Sequence, residues 1–247
     1  MPTARSLPTT AMAIDFHSHV LPGIDDGSAS VEESLQMLAM QASQGITHTV
    51  ATPHFYPSHQ RFEEFLERRA QALETLQQAM AGKNGLPEVI AGAEVHYFPG
   101  IGSCEALKQL TIGGGRYILI EMPAAQWTQR MYQELADISA NQGLVPVAAH
   151  VDRYLGTFST RGIPEKLMEF GCLIQANASA FLTPLAARQS LALLRREQIH
   201  LLGSDCHNVS SRPPQLGKAL DKIRSALGEE AIARLDGLGQ QVLFSKQ

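Results

Sequence analysis

The stretch IDFHSHVLPGIDDG, residues 14–27, decides how the rest of the chain is read. A short apolar run ends in His17 and His19 and continues into a glycine-framed acid pair, Asp25 and Asp26. The two histidines are two positions apart, so an extended chain points both imidazoles to the same side, where they can share one cation. Working outward, similar apolar runs recur as THTVAT (47–52), EVIAGAEV (88–95), RYILIEMP (116–123), LVPVAAHV (144–151), CLIQANA (172–178) and IHLLGSD (199–205). They are continuous rather than strictly alternating, as expected of parallel strands covered on both faces. Helical patterns lie between them. Ser30 with Glu33 predicts a capping box, followed by an apolar face of Val31, Leu35, Leu38 and Ala42 that stops at Gly45. Residues 61–81, 126–142, 184–197 and 215–227 repeat the helical period. Strand followed by helix along the whole chain predicts a parallel α/β fold. No GxGxxG follows the first strand and no GxxxxGK[ST] occurs, which removes the usual support for nucleotide binding. With no Gly/Ser linker and no internal repeat, the expectation is one domain over residues 14–247, closed as a barrel.

Composition narrows the function. Hydrophobic residues make up 44% of the 247 positions, enough to build a large core and to exclude a disordered chain. Twenty basic residues against 24 acidic ones give a net charge of −4, so no basic field is available for nucleic acid. Three widely spaced cysteines, Cys104, Cys172 and Cys206, argue against a disulfide framework and for a reducing, cytoplasmic setting. No apolar run is long enough for membrane insertion. Residues 1–13 read as a flexible lead, with Met12 an alternative start.

The metal-competent side chains gather at the C-terminal ends of these strands. His17 and His19 end the first, followed by Asp26. His54 ends the second, Glu94 the third and Glu121 the fourth. His150 with Arg153 follows the fifth, and Asp205 with His207 ends the last. Six of the seven strands contribute. In a barrel of parallel strands these ends surround one mouth, so residues nearly 200 positions apart converge. One buried His beside one Asp is more often a hydrogen-bonded pair. Several buried carboxylates together, however, need cations to neutralise them. Imidazole and carboxylate donors suit zinc, manganese or iron. His48, His59, His96 and His200 lack this placement and read as ordinary surface or core histidines. Phe55, Tyr56, Trp127 and Tyr154 lie near strand ends and are candidates to line a pocket for a phenyl ring.

The run DFHSHVLPGIDDG, with TPH, GAEVH, IEMP, AHVDRY and SDCHN, resembles the polymerase-and-histidinol-phosphatase (PHP) superfamily. Within it, the chain is most similar to the bacterial manganese-dependent tyrosine-protein phosphatases of capsule and exopolysaccharide operons, the CpsB/CapC and YwqE type. The resemblance spans residue 14 to the C-terminus. It implies a distorted (β/α)7 barrel holding three divalent metals, manganese first, with iron or zinc as alternatives. Carried over by motif, it implies a first metal on His17, His19, Glu94 and Asp205, with Glu94 bridging to a second on Glu121 and His150. The third falls to Asp26, His54 and His207. Arg153 and Arg212 match the family's arginine positions. Phe55 departs from the family, which often has a second histidine after TPH. The implied substrate is a phosphotyrosine protein, the tyrosine-rich tail of a bacterial tyrosine autokinase, and oligomerisation is left open.

The residues support that chemistry independently. A phosphate monoester is dianionic and repels hydroxide, so its hydrolysis needs a locally generated nucleophile and neutralisation of the transferred group. The expected reaction is in-line attack by a hydroxide bridging two metals, with Arg153 and Arg212 gripping the phosphoryl oxygens through their planar forks. Two rivals share these residues. Cys206 and Arg212 have the CX5R spacing of thiol-dependent phosphatases, although the intervening loop has no glycine. A small-molecule phosphatase of the histidinol-phosphatase kind would use the same metal cluster.

Overall fold

The computed structural model describes residues 13–155 and 162–244. The expected lead lies outside these residues except for Ala13, which opens the first strand. All seven apolar runs form strands, and two of them split, giving nine in total: β1 (Ala13–Ser18), β2 (Ile46–Ala51), β3 (His54–Phe55), β4 (Glu88–Ala91), β5 (Glu94–His96), β6 (Tyr117–Glu121), β7 (Val145–Ala148), β8 (Leu173–Asn177) and β9 (Leu201–Gly203). The splits fall at Thr52–Pro53 and at Gly92–Ala93. Pro53 has no N–H to give a ladder. Its carbonyl instead accepts from Glu94 N–H at 3.0 Å, and Gly92 N–H reaches back to Ala51 O at 2.8 Å. The chain thereby steps from a three-stranded sheet, β1-β2-β4, into a six-stranded one, β3-β5-β6-β7-β8-β9. Every pairing is parallel. The curl brings β1 beside the end of β9: Ser18 forms an isolated parallel bridge with Cys206, and Asp205 N–H donates to His17 O at 2.7 Å. This is a mixed α/β domain built on a curled parallel sheet.

Seven helices cover it: α1 (Val31–Ser43), α2 (Phe62–Met80), α3 (Gln129–Gln142), α4 (Ile163–Glu169), α5 (Pro184–Arg195), α6 (Leu216–Leu227) and α7 (Glu229–Phe244). At the start of α1 the Ser30 hydroxyl accepts from Glu33 N–H. The Glu33 carboxylate, however, accepts from Ala29 N–H rather than from Ser30 itself. The buried face of α1 is also rotated from the expected one. It carries Ser34, Met37, Leu38 and Gln41, because Gln41 is drawn inward to Asp15 and Thr49 and Ser34 to Ser28. The sequence pattern misses α4, which is barely two turns long, and α7, whose Gly237 and Gly239 each cost about 1 kcal/mol in a helix. Packing explains α7: Gly239 lies under Phe16, where an added Cβ would come within 3.1 Å of the ring. No helix among the described residues is long and apolar enough to cross a membrane.

Two apolar clusters hold the fold together. The larger fills the space between sheet and helices. The smaller, with Ile14, Phe16, Val50, Tyr117, Leu119, Val147, Leu201 and Val242, fills the hollow of the curl near the strand starts. Side chains of a strand alternate, so Tyr117, Leu119 and Glu121 share one face, as do Leu201, Gly203 and Asp205. The interior thus changes from apolar to ionisable within one strand length. Gly203 is required there: a Cβ would lie 2.3 Å from His17 Cβ, so only glycine lets β9 close against β1.

Candidate metal centre

The strand ends deliver all nine expected metal-binding side chains to one cluster. Glu94, from β5, stands at its middle. Its Oε2 lies 2.9 Å from His54 Nδ1, 3.1 Å from His17 Nε2 and 3.4 Å from His19 Nε2, while Oε1 lies 2.8 Å from His150 Nε2. Asp205 Oδ1 is 3.6 and 3.5 Å from the Nε2 atoms of His17 and His19, which are themselves 3.2 Å apart. Glu121 Oε1 is 3.5 Å from His150 Nε2. Asp26 Oδ1 reaches His54 Nε2 at 3.4 Å and His207 Nε2 at 3.5 Å. Three donor sets are each compact enough for one cation, with ligand atoms within 4.8 Å of one another: His17, His19 and Asp205; His54, Glu94 and Glu121; and His19, Asp26, His54 and His207. Compared with the expected division, His54 faces two sets through its two nitrogens, and His19 joins the set around Asp26.

Protonation states follow from the fixed neighbours. His207 Nδ1 is 3.0 Å from the Asp205 carbonyl, which can only accept, so this nitrogen donates and Nε2 presents a lone pair. Burial, then the nearby His19, pushes the His207 imidazole down to about 4. His19 Nδ1 is 2.7 Å from Asp25 Oδ2. Despite burial, His19 holds that carboxyl down at about 2. Asp25 therefore orients His19 rather than facing the cluster, the carboxylate–histidine arrangement typical behind metal-binding imidazoles. Glu94 is buried too, yet His17, His150 and His19 hold it well below the usual carboxylate range. Burial disfavours a charged His150, but Glu121 and Glu94 lift it to about 9.

Four buried polar atoms of the cluster make no aligned hydrogen bond: His54 Nδ1, Glu94 Oε2, His150 Nδ1 and His207 Nε2. Lone pairs converging in a buried space repel unless protons or cations lie between them, so this donor set fits divalent metals. The backbone is strained at the same place. His150 (φ 33°) and Asp205 (φ 51°) are two of the three non-glycine residues with positive φ among those described, a conformation costing about 1–3 kcal/mol each.

Both arginines stand at the rim. Arg153 and Arg212 each pair with Asp205, Arg212 at 2.9 Å. They open onto a cavity of about 230 Å³ shared with Asn177, Ser179 and Ser211. Cys206, by contrast, is fully buried, its thiol raised by burial and by the neighbouring carboxylate of Asp15. Its sulfur faces Gln41 instead of the mouth, which removes the thiol-nucleophile rival. Of the four aromatics, Tyr56 stands beside the cluster, its ring 5.1 Å from His54 and 5.4 Å from His96. Phe55 is core, against Phe62 and Phe65. Trp127 packs on Tyr154, which is itself buried and donates its hydroxyl to Met122 O.

One rim histidine escaped the sequence reading. His96 Nδ1 lies 3.1 Å from Glu121 Oε2. The signal was present, because His96 follows Glu94 by two residues on one strand and so shares its side. His48 and His200 stay away as expected, beside Glu88 and Ile174 N–H respectively.

A curled parallel sheet with imidazoles and carboxylates clustered at its strand ends defines an α/β protein with a candidate metal centre. The chain belongs to the capsular polysaccharide synthesis CpsB/CapC family, whose family model matches residues 13–238. It is 29% identical over 242 residues to the tyrosine-protein phosphatase CpsB of Streptococcus pneumoniae, spanning 90% of this chain and 94% of that protein. Against the tyrosine-protein phosphatase YwqE of Bacillus subtilis it is 28% identical over 222 residues, spanning 88% and 86%. Among solved structures it superposes, with a TM-score of 0.85 and 26% identity over 95% of each chain, on one from the pair YwqE of B. subtilis and CpsB of S. pneumoniae, metal-dependent tyrosine phosphatases.

Proposed function

We propose that this chain is a metal-dependent protein-tyrosine phosphatase acting in capsule or exopolysaccharide synthesis. The single observation that carries this reading is the convergence on Glu94 of histidines and acids, with Glu94 Oε2, His54 Nδ1 and His207 Nε2 buried and without aligned partners. Three divalent cations, manganese first with iron or zinc as alternatives, would be held by His17, His19, Glu94 and Asp205, by Glu94, Glu121 and His150, and by Asp26, His54 and His207. Bound there, such cations supply Lewis-acid neutralisation of phosphoryl charge and a nucleophile at neutral pH. The remaining roles fall to the chain itself. Arg153 and Arg212 grip the non-bridging phosphoryl oxygens, turning their guanidinium forks from Asp205 toward the substrate. Tyr56, at the rim, offers its face to the substrate's phenyl ring. A phenolate leaves with a pKa near 10, so its departure needs less proton assistance than an alkoxide would. The sheet is read as the closed, distorted (β/α)7 barrel of a PHP domain over residues 14–247. The substrate is read as the tyrosine-rich tail of a bacterial tyrosine autokinase, met in the cytoplasm.

The test is elemental analysis of the purified protein paired with hydrolysis of a phosphotyrosine peptide and of histidinol phosphate, before and after chelation and with manganese restored. Peptide turnover that disappears on chelation and returns with manganese is expected. Preference for histidinol phosphate would move the assignment to a small-molecule phosphatase, and turnover indifferent to chelation would end it.

A further inference from the structure

Strand β8 (Leu173–Asn177) forms from the one of the seven apolar runs whose end supplied no candidate ligand, yet its two inward polar residues are buried beside the cluster. Gln175 Oε1 lies 2.6 Å from His150 N and 3.2 Å from His17 Nδ1. Gln175 Nε2 lies 3.1 Å from Asn177 Oδ1, and Asn177 Nδ2 lies 2.8 Å from Asp205 Oδ2. A backbone N–H can only donate, so the contact with His150 N identifies the atom facing it as the amide oxygen and settles how the Gln175 amide is turned. That oxygen can only accept from His17, so His17 Nδ1 carries a proton and Nε2 is the nitrogen that faces Glu94 and Asp205. The same polarity runs on: Gln175 donates to Asn177, and Asn177 donates to Asp205.

We infer that Gln175 and Asn177 are positioning residues, a polar strip on β8 that locks the His17 tautomer, holds the left-handed backbone at His150 and aims the Asp205 carboxylate. The inference deepens the metal-centre reading and rests on it for its consequence, but the tautomer itself is a property of the metal-free protein. Groups that orient a ligand in this way typically change metal affinity 10–100-fold when removed.

The experiment begins with the wild-type protein stripped of metal. Long-range ¹H–¹⁵N correlation of its imidazoles should show His17 protonated at Nδ1, and finding Nδ1 without a proton overturns the inference with no variant needed. Gln175→Met, close in shape but without an acceptor, should release that tautomer preference and weaken manganese binding by about 10–100-fold in calorimetry. Gln175→Glu keeps an acceptor for His17 and should restore the tautomer, which loss of packing alone would not do. Circular dichroism and melting of both variants check the fold. Unchanged manganese affinity in a folded Gln175→Met protein overturns the positioning role. Wild-type protein with the Nδ1–H tautomer but no affinity for manganese defeats the metal reading instead, so the two failures are distinguishable.

Discussion

The two ends of the same strands, seen on the hollow face of the curl, differ in almost every physical respect. Near the strand starts, Ile14, Leu119, Val147 and Leu201 pack with Val242 of α7 in an apolar cluster. A few residues further along the same strands stand His17, Glu121, His150 and Asp205, with the unpartnered Glu94 Oε2, His54 Nδ1 and His207 Nε2 among them and two backbones of positive φ. The first end stabilises and the second is held in an unfavourable state by it. A set of like charges and bare lone pairs persists only where a rigid base prevents the cluster from relaxing.

Substitutions at the two ends should therefore separate activity from stability. Glu94→Gln removes the carboxylate that four imidazoles face, and phosphotyrosine hydrolysis should fall by at least about 10²–10³-fold while the melting temperature of the metal-free protein holds. A large drop in that melting temperature would show that the cluster is structural. On the neighbouring strand, two residues before Glu121, Leu119→Ala should do the reverse, costing about 2–5 kcal/mol in denaturant unfolding. Its kcat/KM, measured where the variant is folded, should stay near wild type. Loss of turnover without loss of stability would contradict the division.

The pH dependence sharpens the comparison further. His150 is raised to about 9 from its ordinary 6.5, so its contribution to stability is fully present below pH 6.5 and is lost as pH rises through 9. Metal-free protein should lose on the order of 2–3 kcal/mol across that window. Saturating manganese should flatten the curve, because the cation replaces the proton at the same nitrogen. Melting curves at matched pH with and without metal measure this, and identical slopes would deny that proton and metal compete. The smallest effect is expected for Cys206→Ser: the thiol lies behind the cluster, and hydrolysis should be unchanged. Collapse of turnover in a folded, metal-loaded Cys206→Ser protein would revive the thiol mechanism.

Some of this was legible from the residues and some was not. The HxH spacing and the acids at strand ends brought His17, His19, Glu94 and Asp205 together correctly, because strand alternation and parallel order are local and topological rules. His96 was legible by the same alternation from Glu94 but was set aside. The splits at Pro53 and Gly92 were foreshadowed by residue type. The rotated face of α1 was not, since Gln41 is drawn inward only by Asp15 and Thr49, which lie on other elements.

By itself the sequence determined the parallel α/β order, the end of each strand at which chemistry gathers, and donor types suited to metal ions. Only the tertiary structure decided that Asp25 backs His19 while its neighbour Asp26 meets His54 and His207. It also decided that His54 lies between two donor sets, that Cys206 is sealed, and that β8 serves through Gln175 and Asn177. The physical reason is range. Periodicity fixes the side of a strand a residue faces, but its partners depend on how closely β9 approaches β1. That approach depends on Gly203, across nearly the whole length of the chain.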